Sequence, residues 1–319
     1  MAIKVRDFRE AFAEKGKVGG GTRARADTTF RALEKVSRAR GWGDVTPENL
    51  SSKQFLQYVQ DRREAGISER VLANEASHIR GALLGAGQGS KVGYEHKKLT
   101  GKDPEGKGTN FTNARLGIQK ASRVGGKAPA DLEKYKAADL NDGARAVLDL
   151  SIHTGVRLQE GVKCTNIHEW ASALQKASAL GRAADLRMSQ NSGSKGGRPR
   201  WVTIHAENVP KAIEAVQTVI RIIGENEAAG KGAWLIPTKD PAKNLEAAVR
   251  SVSNACTRAG LIGNDSPHGF RRAFACNQYD GYRAQGLTRE EAISRLSADL
   301  GHGDRPGRWV ENNYLGGHR

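Results

Sequence analysis

Two blocks of helical hydrophobic periodicity, separated by a stretch of 40 residues that has almost none, constrain this 319-residue chain more than any other feature. A chain that changes character in this way does not form one continuous core, so it divides. In the first block, Phe30, Leu33, Val36 and Trp42 fall near helical spacing over residues 27–42, with Asp27 as N-cap. Residues 46–66 open on Thr46 and Pro47, a helix-start pair, and carry Leu50, Phe55, Leu56 and Val59 on one face. Residues 68–87 open on Ser68, run through Val71, Leu72, Ala76, Ile79 and Leu83, and stop at Gly85 or Gly87. Gly, Lys and Ser then crowd residues 88–127, which read as an extended basic segment with a short helix near 112–123.

The second block is mixed. An amphipathic helix over 142–164 is broken at Thr154-Gly155 and resumes. Residues 184–205 read as two short strands around a Gly-rich turn, a β-hairpin. Further helices are expected over 210–230, 244–261, 266–282 and 288–302, the last opened by a capping box of Thr288 with Glu291. The chain thus reads as an N-terminal extension (1–26), a helical domain (27–90), a basic linker (91–127) and a larger domain (128–319). The fold class is mainly α with a small antiparallel β-sheet, the sheet lying in an α+β second domain.

Charge narrows the partners. Lys and Arg number 51 against 35 Asp and Glu, a net charge of +16 and a pI near 9.9. That balance is the footprint of a polyanion binder, and nucleic acid is the first candidate. A membrane surface is the second, but no basic amphipathic helix carries Trp or Phe on one face. Residues 1–127 hold a net +11 against +5 for the rest, so the first 40% of the chain carries most of the excess. Lys97, Lys98, Lys102 and Lys107 in the linker, with Arg198 and Arg200 in the hairpin, are the expected phosphate contacts. No apolar run approaches the roughly 18 residues of a membrane span. The start, MAIKVRDFREAF, is charged throughout and has no signal-peptide core. A cytoplasmic, nucleoid-associated chain is expected. Cys164, Cys256 and Cys276 are far apart and odd in number, which predicts buried thiols rather than disulfides or a zinc site.

Six residues stand at helix starts, turns or the hairpin tip: Arg157, Lys195, His268, Arg271, His302 and Tyr314. Each has a plain structural reading taken singly, as a surface charge, a cap or a packing residue. Their order is more specific. Thr154-Gly155-Val156-Arg157 with Glu160, the hairpin Lys195, His268 with Arg271, Leu300-Gly301-His302 and then Tyr314 resembles the tyrosine recombinase (phage integrase) family over about 150–315. The helical first domain is similar to that family's core-binding domain. Tyr314 lies twelve residues after His302, a longer spacing than the family usually shows, and Arg272 stands where the family often has His. Tyr279 and Tyr282 both precede the Leu-Gly-His box, the wrong order for the nucleophile.

The chemistry explains the residue types. Charge builds on the non-bridging oxygens of a phosphodiester as it passes through a pentavalent transition state. Two guanidiniums, Arg157 and Arg271, offer rigid paired donors for those oxygens and stay charged. The resemblance implies that Tyr314 attacks phosphorus and that His268 assists its proton. It further implies that Lys195 protonates the departing 5′-oxygen, that His302 hydrogen-bonds the phosphate, and that Glu160 orients a catalytic group from behind. It implies no cofactor and no metal, a two-domain clamp on double-stranded DNA recombination sites, and a homotetramer that exchanges strands through a Holliday junction, with accessory or directionality proteins as further partners. Because about 26 residues precede the first expected helix, a separate arm-binding domain is not expected. Two rivals remain at this point: a type IB topoisomerase, which would relax DNA without a specific site, and a DNA-binding protein without catalysis, in which Tyr314→Phe would change nothing but affinity.

Overall fold

The computed structural model describes residues 5–14, 20–92, 111–119, 128–188, 200–236, 244–302 and 308–316. The chain divides into two compact units, Met1–Ser122 and Arg123–Arg319. Among the described residues, no helix is long and apolar enough to cross a membrane.

The first unit is helical: α1 (Val5–Glu14), α2 (Gly20–Ala39), α3 (Ser52–Glu64), α4 (Glu69–Gly85) and α5 (Gly89–Val92). Its core differs from the sequence expectation at both edges. The extension at 1–26 is not outside the fold, because α1 buries Phe8 and Phe12, which meet Phe30 with ring centroids 5.6 and 5.8 Å away. Part of the expected linker also belongs to this unit. Phe111, Leu116 and Ile118 are buried in its core, and Phe111 packs on Phe55. Arg80 donates to the Phe111 carbonyl, and the Gln119 amide donates to Glu69. Thr46-Pro47 starts a turn rather than a helix. The start falls at Ser51, whose side chain forms a capping box with Gln54.

The second unit places its helices about one hairpin. After α6 (Leu132–Ala137) come α7 (Asp142–Thr154), α8 (Leu158–Lys163) and α9 (Ile167–Ala179). Strands β1 (Ala184–Met188) and β2 (Arg200–Ile204) follow, then α10 (Val209–Ala228), α11 (Leu245–Arg258), α12 (Pro267–Ala284), α13 (Arg289–Asp299) and α14 (Arg308–Tyr314). Helix α7 is buried nearly all round, through Ala146, Val147, Leu148, Leu150 and Ile152. Its Asn141 cap accepts from the Ala144 amide at 2.9 Å. Each of the larger aliphatics, Val147, Leu148, Leu150 and Ile152, contributes about 1.5–3 kcal/mol when fully buried. The strands are antiparallel, pairing Ala184 with Ile204 through Met188 with Arg200. Alternation buries Ala184, Leu186 and Met188 on one strand and Arg200, Val202 and Ile204 on the other. Trp170 on α9 donates its indole N–H to the Arg187 carbonyl at 2.9 Å, tying helix to sheet. All three cysteines are buried and free. The short α6 and α14 and the thirteen-residue α9 were not anticipated from the sequence.

Candidate active site

The break expected at Thr154-Gly155 is a helix end with a purpose. Gly155 takes φ +63°, and a Cβ there would lie 2.4 Å from the Phe274 ring, so both conformation and space demand glycine. The chain turns and presents Arg157 at the N-cap of α8. Glu160 caps that helix: its Oε2 accepts from the Arg157 amide at 2.7 Å, while its Oε1 accepts from Arg157 Nη1 at 2.9 Å. Glu160 is fully buried.

The Leu300–His302 segment is also a helix end. Gly301 takes φ +68° after α13, and the His302 amide donates to the Ser297 carbonyl at 2.9 Å. This turn aims the Leu300 carbonyl inward. Arg157 Nη2 donates to it at 3.0 Å and Arg271 Nη2 at 2.8 Å. One carbonyl thereby holds both arginines, although 114 positions separate them in sequence. Arg271 lies on α12 and is 2% exposed, and its Nε is buried without a hydrogen-bond partner among the described residues. Burial lowers the Arg271 pKa, and the neighbouring Arg157 adds to that, while Tyr314 and Glu160 oppose it.

Tyr314 is 2% exposed, at the end of α14. Val310 and Leu315 anchor its helix in the core, and Cys276 Sγ lies 3.6 Å from its carbonyl. The Tyr314 hydroxyl is 3.4 Å from His302 Nε2. Its ring stands 5.3 Å from that of His268, at the exposed start of α12, and Arg271 Cζ lies 5.9 Å from its centroid. Five of the six residues singled out in the sequence therefore meet around one point. The sixth, Lys195, lies outside the described residues, as do Arg198, Lys97, Lys98, Lys102 and Lys107.

Arg200 departs from its expectation as a surface phosphate contact. It is 6% exposed, and its Nη1 and Nη2 donate to the two oxygens of Glu160, each at 2.7 Å. Alternation along β2 turns it inward with Val202 and Ile204. Arg272, where the family often has histidine, donates to the Ala128 carbonyl at 2.7 Å and anchors the start of the unit.

Three guanidiniums thus crowd about one paired carboxylate. Burying cationic groups without matching anions is costly, so such a cluster suits an anion that completes it. The family model for integrases matches residues 117–277, half of the chain. The chain belongs to this integrase family of tyrosine recombinases. Its fold is that of two solved integrases. A fragment of the Tn1549 transposon integrase in complex with a circular intermediate DNA has 14% identity and a TM-score of 0.55, covering 98% of this chain and 95% of that one. A lambda integrase fragment, crystallised as a dimer bound to a COC′ core site, has 15% identity and a TM-score of 0.50, covering 97% and 98%. No curated protein matches the sequence. The family match ends at residue 277, before Leu300 and Tyr314, so the geometry rather than that match joins them to the site.

Proposed function

We propose that this protein is a site-specific DNA recombinase that cleaves and rejoins strands through a covalent 3′-phosphotyrosyl intermediate. The observation that carries this reading is the convergence of Arg157 and Arg271 on one carbonyl, with Arg271 against the Tyr314 ring and the Tyr314 hydroxyl beside His302. The scissile phosphate sits against the two guanidiniums, whose donors face its non-bridging oxygens. Preorganised donors of this kind contribute about 3–4 kcal/mol each to the transition state. Tyr314 Oη attacks phosphorus and the bond to the 5′-oxygen breaks. A phenol is a poor nucleophile near neutral pH, so its proton must leave as attack proceeds. His268 assists that transfer, and His302, already beside the hydroxyl, hydrogen-bonds the phosphate. Lys195 gives a proton to the 5′-oxygen. The new phosphotyrosine keeps the energy of the broken link, so a 5′-hydroxyl from another strand reverses the step and reseals the backbone.

The solved relatives hold transposon-end, circular-intermediate or core-site DNA. By the same reading this chain takes double-stranded recombination sites, works as a homotetramer on two paired sites and exchanges one strand pair at a time through a Holliday junction. Tyr314→Phe tests the proposal. Covalent protein–DNA adducts should vanish while DNA binding stays within about twofold. Adducts that persist in this variant place the nucleophile elsewhere.

A further inference from the structure

Arg200 is the buried cation that the order of motifs leaves without a part. Its donors reach three segments of the site. Nη1 and Nη2 take both oxygens of Glu160 at 2.7 Å, Nη2 also lies 3.3 Å from the Gly155 carbonyl, and Nε donates to the Asp299 carbonyl at 3.0 Å. Those acceptors are the turn before Arg157, the helix after it, and the residue before Leu300. Space is kept for the side chain, since a Cβ on Gly301 would lie 2.7 Å from Arg200 Cδ and 3.4 Å from Arg157 Nη2.

Asp299 is held in turn from its far side. Its carboxylate accepts from the Thr203 amide at 3.2 Å and the Tyr282 hydroxyl at 2.7 Å. Gln278 donates to the Thr203 carbonyl at 2.6 Å. The edge of β2 away from β1 is therefore capped by side chains of α12 and α13, which fixes the strand that carries Arg200. A phosphate contact would need donors turned to solvent, and every nitrogen of this guanidinium is already engaged inside the unit. A buried ion pair is also a weak source of net stability against an apolar replacement of the same volume. The planar fork, matched to both oxygens of a carboxylate, is suited to fixing direction.

We propose that Arg200 is a positioning residue for strand cleavage: by holding Glu160 and the Asp299 carbonyl it sets the direction of Arg157 and the place of the Leu300 carbonyl, without touching DNA. This rests on the reading in which Arg157 and Arg271 hold the scissile phosphate.

The test uses the full chain and a suicide duplex selected for adduct formation with the unsubstituted protein. Arg200→Lys keeps the charge and loses the fork. Arg200→Met combined with Glu160→Gln removes the guanidinium and the carboxylate charge together, so no unpaired carboxylate stays buried, and the amide oxygen at position 160 can still accept from Arg157. Both should slow adduct formation about 10–100-fold, the range typical of groups that orient an active residue. DNA affinity and the slope of log K against log salt should stay unchanged. Cleavage within about twofold of the unsubstituted protein in either folded variant overturns the proposal. So does a loss of affinity matching the loss of cleavage, with a salt slope shallower by about 0.9, since that marks a phosphate contact. Arg157→Ala run alongside separates the two layers. If it still cleaves, the phosphate-holding reading fails; if it is dead while Arg200→Lys is normal, the positioning role alone fails.

Discussion

The two units each bury an arginine–carboxylate cluster, and they complete it differently. In the first unit Glu75 accepts from the Tyr58 hydroxyl at 2.8 Å and from Arg62 through two nitrogens, so one cation meets one anion. The cluster is closed: burial and the Glu75 charge push the Tyr58 hydroxyl well above its ordinary range, and it stays a protonated donor. In the second unit Glu160 serves both Arg157 and Arg200 while Arg271 stands beside them. The closed cluster joins α3 to α4 and has nothing left over to bind a ligand. The second cluster keeps surplus positive charge and, beside a tyrosine, an Arg271 Nε with no hydrogen-bond partner among the described residues. Residues of the same types thus build a strut in one place and a candidate anion site in the other, and what separates them is balance.

Three measurements sharpen or break that contrast. The largest effect belongs to the surplus. Arg271→Ala should lower cleavage at saturating DNA about a hundredfold to a thousandfold, about 2.7–4 kcal/mol of transition-state stabilisation. A loss under tenfold would leave the cluster with only a structural role.

The next concerns a carboxylate of the second unit that neutral donors hold. Asp299 is pushed up to about 6, mainly by burial, with Tyr282, Thr203 and Gln278 opposing. Its folded pKa lies above the ordinary 3.8, so the folded protein keeps a proton that the unfolded chain gives up. That contribution is whole below about pH 4 and is lost as pH rises through about 6, a change of roughly 3 kcal/mol. Asp299→Asn lacks this titration. Its melting temperature relative to the unsubstituted protein should therefore climb between pH 4 and pH 7 in paired thermal scans. A difference that stays flat with pH contradicts the assignment.

The smallest effect belongs to the closed cluster. Glu75→Ala leaves the Tyr58 hydroxyl and Arg62 without their acceptor and should cost about 1–3 kcal/mol of stability. The cleavage rate of folded, DNA-saturated protein should not move. A change in that rate would show that the first cluster is more than a strut.

Much of the second unit was readable from the sequence because its signals are local. The Gly155 helix end, the Thr288–Glu291 capping box and the alternation of the hairpin each lie within a few residues of what they determine. The order of the motifs anticipated that Arg157, Arg271, His268, His302 and Tyr314 would meet. Arg200 was misread because its partner Glu160 lies 40 residues away and composition treats every arginine as surface charge. A usable signal was there: two-residue periodicity puts Arg200 on the same face as Val202 and Ile204. In the first unit, α1 was missed because Phe8 and Phe12 sit among charges in a ten-residue segment that is helical only when packed. The segment carrying Phe111, Leu116 and Ile118 was assigned to the linker because the glycines and lysines around it outweighed three apolar residues. Pro47 suggested a helix start where the chain makes a turn, and the capping box at Ser51 was the stronger signal.

The central claim is that the arginine cluster holds a scissile phosphate against the hydroxyl of Tyr314. The most direct test traps the protein on a nicked suicide duplex, digests the adduct and identifies the modified residue by mass spectrometry. The account predicts a 3′-phosphonucleotide on Tyr314 alone. Attachment at Tyr279, Tyr282 or any other side chain would contradict it.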